Sequence, residues 1–246
     1  MAYNTEQDEF NEDEVIEAKI TKDDVFSQLS ITTDRIKEYA NMMDVNEEKS
    51  MKRIFNYLNW IDIKTNFINN ENRLNIPESI IPNSVNSYLF KNLYQENKQL
   101  IEKYYTRKDI SNNDFVYVLN NNVINNDDII KLINLLIIKR TNVVWIEFGF
   151  NIGKEFGGKH PALILKNIGD NIIVAPLSSK APKEIKDFHV KVNNVFDFSK
   201  KKVRWINIHR IIPVSKNRID FNSEIGNVRG EVLKAISIAI NLCGVK

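Results

Sequence analysis

The sequence predicts an α+β protein, with a helical N-terminal region followed by a small twisted sheet or barrel that a C-terminal helix closes. Three observations carry this. From about Asp13 to Arg140 the apolar residues recur mostly at helical spacing. After Arg140 they gather into short runs rich in Val, Ile and aromatics, separated by Gly, Asn and Asp. Charge divides at nearly the same place: residues 1–137 hold 15 Lys and Arg against 23 Asp and Glu, residues 138–246 hold 19 against 9. A basic half of that kind suits a polyanion, and an acidic half could cover it.

Residues 1–14 carry six acidic side chains and no basic one, and read as a disordered acidic tail. Residues 15–137 read as an all-α domain. Asp44 and Glu47 suggest a capping box ahead of a helix through Met51, Ile54, Phe55, Leu58 and Trp60. A longer helix is expected to carry Val85, Leu89, Leu93, Leu100, Ile101 and Tyr104 on one stripe. A third begins near Asn126–Asp128, its acidic start favoured by the macrodipole. These stripes read as core, and this half shows no catalytic constellation. Strands are expected at Val143–Phe148, Pro161–Lys166, Ile172–Leu177, Phe188–Val192 and Val203–Pro213, then an amphipathic helix at Gly230–Leu242.

Composition removes several function classes. No apolar run reaches the roughly 18 uncharged residues of a membrane-spanning helix, since the longest, Ile129–Ile138, contains Lys131 and Asn134. The acidic start is the reverse of a secretory leader. One cysteine, Cys243, allows no intrachain disulfide and no cysteine-based zinc cluster. The expectation is a soluble cytoplasmic protein without membrane contact. No phosphate-binding glycine loop, dinucleotide fingerprint, zinc-protease motif or nucleophile elbow is present.

All three histidines, His160, His189 and His209, lie in the basic half. Histidine is the side chain best suited to moving protons near neutral pH. His160 follows the polar stretch Gly153–Lys159 directly before a strand, where a side chain can face a groove. The strand ending in Ser178, Ser179 and Lys180 places two hydroxyls and a cation at another mouth.

Four segments carry a family resemblance. Lys139–Trp145, Gly153–Leu165, Ile173–Ser179 and Ile211–Ile219 resemble, in order, motifs of the MazF/PemK toxin endoribonucleases. The resemblance spans about residues 138–246 and leaves 1–137 as an unmatched extension. It implies an SH3-like barrel with a C-terminal helix, a homodimer, and metal-independent, cofactor-free cleavage of single-stranded RNA. In that reaction the 2′-OH attacks the adjacent phosphate, leaving a 2′,3′-cyclic phosphate and a 5′-OH. It also implies an antitoxin partner, or inhibition by the chain's own N-terminal domain, which could otherwise serve in dimerisation or targeting.

Carried over by motif, the family's glutamate matches Glu155, and its catalytic arginine falls on His160, a departure. Its phosphate-binding threonine matches Ser178, and a late acidic residue falls on His209. A His160/His209 acid–base pair with Ser178 as donor, and Glu155 to orient its neighbours or anchor the loop, is the implied catalytic set. Lys154, Lys159, Ser179, Lys180 and Arg210 are the implied RNA contacts, and Lys183, Lys200–Lys202 and Arg204 widen the basic surface. The same barrel also occurs in toxins that bind a protein such as gyrase, and in interaction modules, which leaves those readings open.

Overall fold

The computed structural model describes residues 20–69, 76–111, 114–151 and 156–243. The acidic tail expected at 1–14 lies outside them. The chain forms two compact units that divide between Leu58 and Asn59, within a helix.

In the first unit, α1 (Lys22–Asn41) starts at a capping box. The Thr21 hydroxyl accepts the Asp24 N–H at 3.2 Å and the Asp24 carboxylate accepts the Thr21 N–H at 2.8 Å. The box expected at Asp44 and Glu47 does not form. Asp44 spends its carboxylate on the N–H of Asn46 and donates its own N–H to Ser50, and α2 (Glu48–Asn69) begins after that turn.

In the second unit the N-terminal region is not all helix. The single helix expected through Val85–Tyr104 is β1 (Ser84–Asn86), α3 (Ser87–Lys91) and α4 (Gln95–Tyr104). Asn86 makes the break, capping α3 by accepting the Leu89 N–H at 2.8 Å. Two further strands follow, β2 (Tyr105–Ser111) and β3 (Asp114–Leu119), giving an antiparallel sheet of order β1-β3-β2. The run Phe115-Val116-Tyr117-Val118 favours the pleat, because branched and aromatic side chains pack on it. Then α5 (Asn126–Leu136) starts at Asn125, whose side chain accepts the Asp128 N–H.

The barrel strands lie close to where the sequence predicts them. They are β4 (Asn142–Glu147), β5 (Lys159–Ile168), β6 (Asn171–Ser178) and β7 (His189–Val192). The expected last strand is two, β8 (Arg204–Asn207) and β9 (Ile212–Ser215), separated by a 3₁₀ turn at Ile208–Arg210. Finally come β10 (Gly226–Asn227) and α6 (Gly230–Leu242). All pairings are antiparallel, in the order β10-β4-β5-β6-β8-β7, with β9 also on β6.

The central strands are apolar on both faces. Val143, Leu163, Ala175 and Leu177 join one core with Ile236 and Ala239 of α6. Their neighbours Val144, Ile146, Ala162, Ile164 and Val174 join a second core with Ile133 and Leu136 of α5 and Tyr104 of α4. The core therefore runs through residue 138 instead of ending there. Full burial of one such aliphatic side chain contributes about 1.5–3 kcal/mol, more than a helix cap at about 1 kcal/mol, so packing decides this arrangement.

Candidate functional site

The site is built around one ring, Phe156. Two backbone bonds and one side-chain bond bring the ends of its loop together: the Phe148 N–H donates to the Gly158 carbonyl at 3.0 Å, the Gly158 N–H to the Gly149 carbonyl at 2.6 Å, and the Asn151 side-chain amide to the Phe156 carbonyl. Phe156 meets Phe148 edge-on at 5.2 Å and the His160 ring at 4.5 Å. The Arg210 guanidinium lies over it, 5.3 Å from its centre.

His160 is the second residue of β5, opposite Ile146, and half-buried. Burial foremost, and then the charges of Arg204 and Arg210, push its imidazole below the ordinary histidine value, against the opposing effect of a hydrogen bond to the Gly157 backbone. Such a placement favours the neutral imidazole, with one ring nitrogen able to accept a proton.

Ser178 ends β6 opposite Trp205. Its hydroxyl accepts the Lys180 N–H at 3.1 Å and donates to the Lys180 carbonyl at 3.2 Å. It opens on a cavity of about 140 Å³ shared with Phe156, Lys180, His189, Trp205 and Arg210. Beside it runs an open cleft of about 1120 Å³ that Phe156 and Arg210 also line, reaching His209, Arg218, Trp60 and Lys64.

The implied residues do not all converge. His209 is exposed and packs on Phe188 at 4.4 Å, as His189 does at 4.4 Å from the other side of the sequence. His160 and His209 share neither a ring contact nor a hydrogen bond among the described residues. His189, by contrast, lines the cavity with Ser178. Its ring nitrogen accepts the Lys186 N–H at 3.1 Å, and burial first, then the charges of His209, Lys186 and Arg210, lower its proton affinity.

Of the implied RNA contacts, Lys180 and Ser179 are exposed, and Lys180 lines the cavity. Lys159 is ion-paired with Asp220. Burial opposes ionisation of Asp220, but hydrogen bonds from Lys159, Ser223 and the Asn222 backbone hold its carboxyl below the ordinary range. Arg204 is not part of the surface: it is 7% exposed, set against the Phe198 ring at 5.4 Å. Lys154 and Glu155 lie outside the described residues.

Two cleft residues, Arg218 within the Ile211–Ile219 motif and Trp60 outside any motif, are not among the site residues that the sequence implies. Arg218 donates to the carbonyls of Phe148 and Glu147, at 3.3 and 3.5 Å, and sits 5.3 Å from the centre of the Trp60 ring. Trp60 belongs to α2, where helical spacing marks it as core, but it is only half-buried. Its ring lies against Gly149, where φ is +92° and a Cβ would come within 2.5 Å of Trp60. Among the described residues no three His, Cys, Asp or Glu side chains gather where a metal could sit.

A small antiparallel barrel with a C-terminal helix and a cleft of mixed aromatic and cationic lining defines a class, and the sequence comparison gives its family. Residues 139–243 match the PemK-like, MazF-like toxins of type II toxin–antitoxin systems. That segment belongs to the family, and the chain carries an extra N-terminal region. No curated protein matches the chain.

Similar solved structures include the Mycobacterium tuberculosis toxin MazF-mt6, at 15% identity over 43% of this chain and 97% of that one, with a TM-score of 0.32. Deinococcus radiodurans MazF is 19% identical over 43% and 96%, with a TM-score of 0.35. The MazE–MazF structure from the same organism is 19% identical over 44% and 98%, at 0.33.

Proposed function

We propose that the protein is a toxin endoribonuclease that cuts single-stranded RNA without a metal, by attack of the ribose 2′-OH on the adjacent phosphate. The observation that carries this reading is the grouping of His160 and Arg210 on Phe156, with Arg210 and Ser178 facing one cavity. The reaction needs a base for the 2′-OH, an acid for the leaving 5′-oxygen, and donors for the extra charge of the phosphorane.

The parts are distributed as follows. Neutral His160 takes the 2′-OH proton. Arg210, exposed and with no ion-pair partner among the described residues, places its guanidinium on the phosphorane oxygens and so supplies the fork that the family has at the His160 position. The Ser178 hydroxyl, turned away from the Lys180 carbonyl, donates a further hydrogen bond. The proton that His160 has taken returns to the departing 5′-oxygen, so that a cyclic phosphate and a 5′-OH result, while His189 lines the cavity in its neutral form. His209 lines the wider cleft as an RNA contact, with Lys180 and Ser179 at the cavity edge. Lys159 steadies the start of β5 through its ion pair with Asp220, and Glu155 and Lys154 take the anchoring and RNA-binding roles that the resemblance implies.

In the same reading the protein acts in the cytoplasm, pairs with a second copy, and is held inactive by an antitoxin or by its own acidic N-terminal region. The test is incubation of the full chain with a long unstructured RNA in EDTA, alongside His160→Ala, Arg210→Ala and Ser178→Ala. Discrete fragments ending in 2′,3′-cyclic phosphate, lost in the variants, support the reading. Fragments that persist unchanged in all three overturn the residue assignment; if the full chain does not cut, the same assay on residues 76–246 follows, and silence there as well moves the protein to a non-catalytic toxin.

A further inference from the structure

The wide cleft has a second cationic centre that the proposed chemistry does not use. Arg218 is held on three sides, by the Phe148 and Glu147 carbonyls and by the Trp60 ring. Neither carbonyl carries a charge that would cancel the guanidinium. The Glu147 carboxylate attracts it but accepts the Gly149 N–H at 3.1 Å and forms no ion pair with it. Arg218 uses one terminal nitrogen on the two carbonyls, and it lines the cleft beside Lys64, an exposed cation one helical turn after Trp60.

A guanidinium has five N–H donors, and a rigidly held one loses little side-chain freedom when it binds an anion. Single-stranded nucleic acid is bound by cations that track the backbone, interleaved with aromatic faces. The same cleft wall contains Phe148, Phe150 and Phe156. An acidic peptide would need the cations but not the aromatic lining, and for that reason RNA is the better fit.

We propose that Arg218 and Lys64, with Trp60 as the clamp that positions Arg218, form a phosphate-holding subsite for the RNA strand in the part of the cleft that Ser178 does not reach. Two of these three residues precede the family-matched segment, so the N-terminal region contributes directly to substrate binding. This rests on the ribonuclease reading above.

The test uses the full chain in a Ser178→Ala background, so that RNA is bound and not cut. Binding of a short labelled unstructured RNA is measured against salt for Arg218→Gln, Arg218→Lys, Lys64→Gln and Trp60→Leu, with a thermal melt of each. Arg218→Gln and Lys64→Gln should each weaken binding about tenfold and reduce the slope of log affinity against log salt by about 1. Arg218→Lys should keep most of the slope. Trp60→Leu should weaken binding with the slope less affected, because the charge remains but its position is lost.

A purely structural role for Arg218 predicts the reverse, a lower melting temperature for both Arg218 variants with an unchanged salt slope, and overturns the proposal. If RNA binds and no variant changes it, the subsite is wrong while the ribonuclease reading stands. If the parent binds no RNA, both fail, and a polyglutamate peptide whose binding the same variants weaken would assign the cleft to an acidic protein partner.

Discussion

The Arg210 guanidinium rests on the face of Phe156, 5.3 Å from the ring centre, while the opposite claim on that ring is the His160 imidazole at 4.5 Å. One apolar side chain thus sets both a permanent cation and a titratable group. Arg210→Ala should lower RNA cleavage about 10²–10³-fold, the usual cost of removing one donor aimed at developing charge. Arg210→Lys should recover only part, lacking the planar fork. Phe156→Leu should lower cleavage with both groups intact. Single-turnover rates check all three, and a wild-type rate in Phe156→Leu would contradict the positioning role.

The imidazoles of His160 and His189 are both held below the ordinary value, foremost by burial. Their neutral forms are therefore favoured in the folded state. The unfolded chain binds protons first as pH falls, so stability is full above about pH 6.5 and declines as pH drops below it. The melting temperature should fall between pH 7.5 and 5.5, a window above that of the carboxylates. In His160→Gln the fall should be shallower, and an equal slope would remove His160 from the cause.

Gly149 combines φ of +92° with a ring in the space of its missing side chain. Gly149→Ala should lower stability by about 1 kcal/mol or more from backbone strain alone, with the Trp60 clash added. Trp60→Ala relieves the clash but not the strain. Melting of the two single variants and the double variant should therefore show coupling between the sites without full recovery.

Asp128 is buried in α5, its carboxylate accepting from Lys103 and the Tyr104 hydroxyl at 2.7 Å each and from Asn125 at 3.0 Å. Hydrogen bonds from Lys103 first, then Tyr104, with Lys131 and Asn125 adding to them against the opposing effect of burial, hold it far below the usual carboxylate range. Its contribution is present above about pH 4 and lost as pH falls through that range. Asp128→Asn should melt lower than wild type at pH 7, with the gap narrowing toward pH 3. A constant gap would show that charge is not what Asp128 supplies.

Residues 76–137 cover one face of the central strands with Ile133, Leu136 and Tyr104. Residues 138–246 expressed alone should aggregate or self-associate through that bared face, whereas residues 76–246 should not. Size-exclusion chromatography with light scattering reads the difference. A monomeric, well-behaved 138–246 fragment would show that the cover is dispensable. Its activity, compared with the full chain, tests internal inhibition.

The sequence is most legible where the local signal and the packing agree. The bounds of α6 fall where the apolar stripe and Gly230 predict them, and the barrel strands lie within a few residues of their Val- and Ile-rich runs. It misleads at β1, where Val85 fits a helical stripe but pairs with Tyr117 across the small sheet. Six of the seven β2 residues are exposed, so β2 shows no alternation to read. In the site, motif order leads to His160 and Ser178. Arg218 lies within the Ile211–Ile219 motif, but its place in the cleft, like that of Trp60, which follows no motif, comes from a long-range contact between α2 and the segment after β9. No spacing within either segment records that.

A consequence of the double-faced burial concerns alignment of β5 with β6. Ala162–Ile164 and Val174–Leu177 are buried at every position. A slide of one residue would thus still deliver apolar groups to both cores, and alternation cannot specify the partner of each residue. Something else must number the rungs. Pro161 and Pro176 can donate no ladder bond, and the irregularity between Ile164 and Lys166 consumes one residue of β5. These fix the offset that sets Ala162 opposite Pro176. The strands can exchange Val for Ile freely, while the two prolines and the bulge keep the numbering that ends β6 at Ser178.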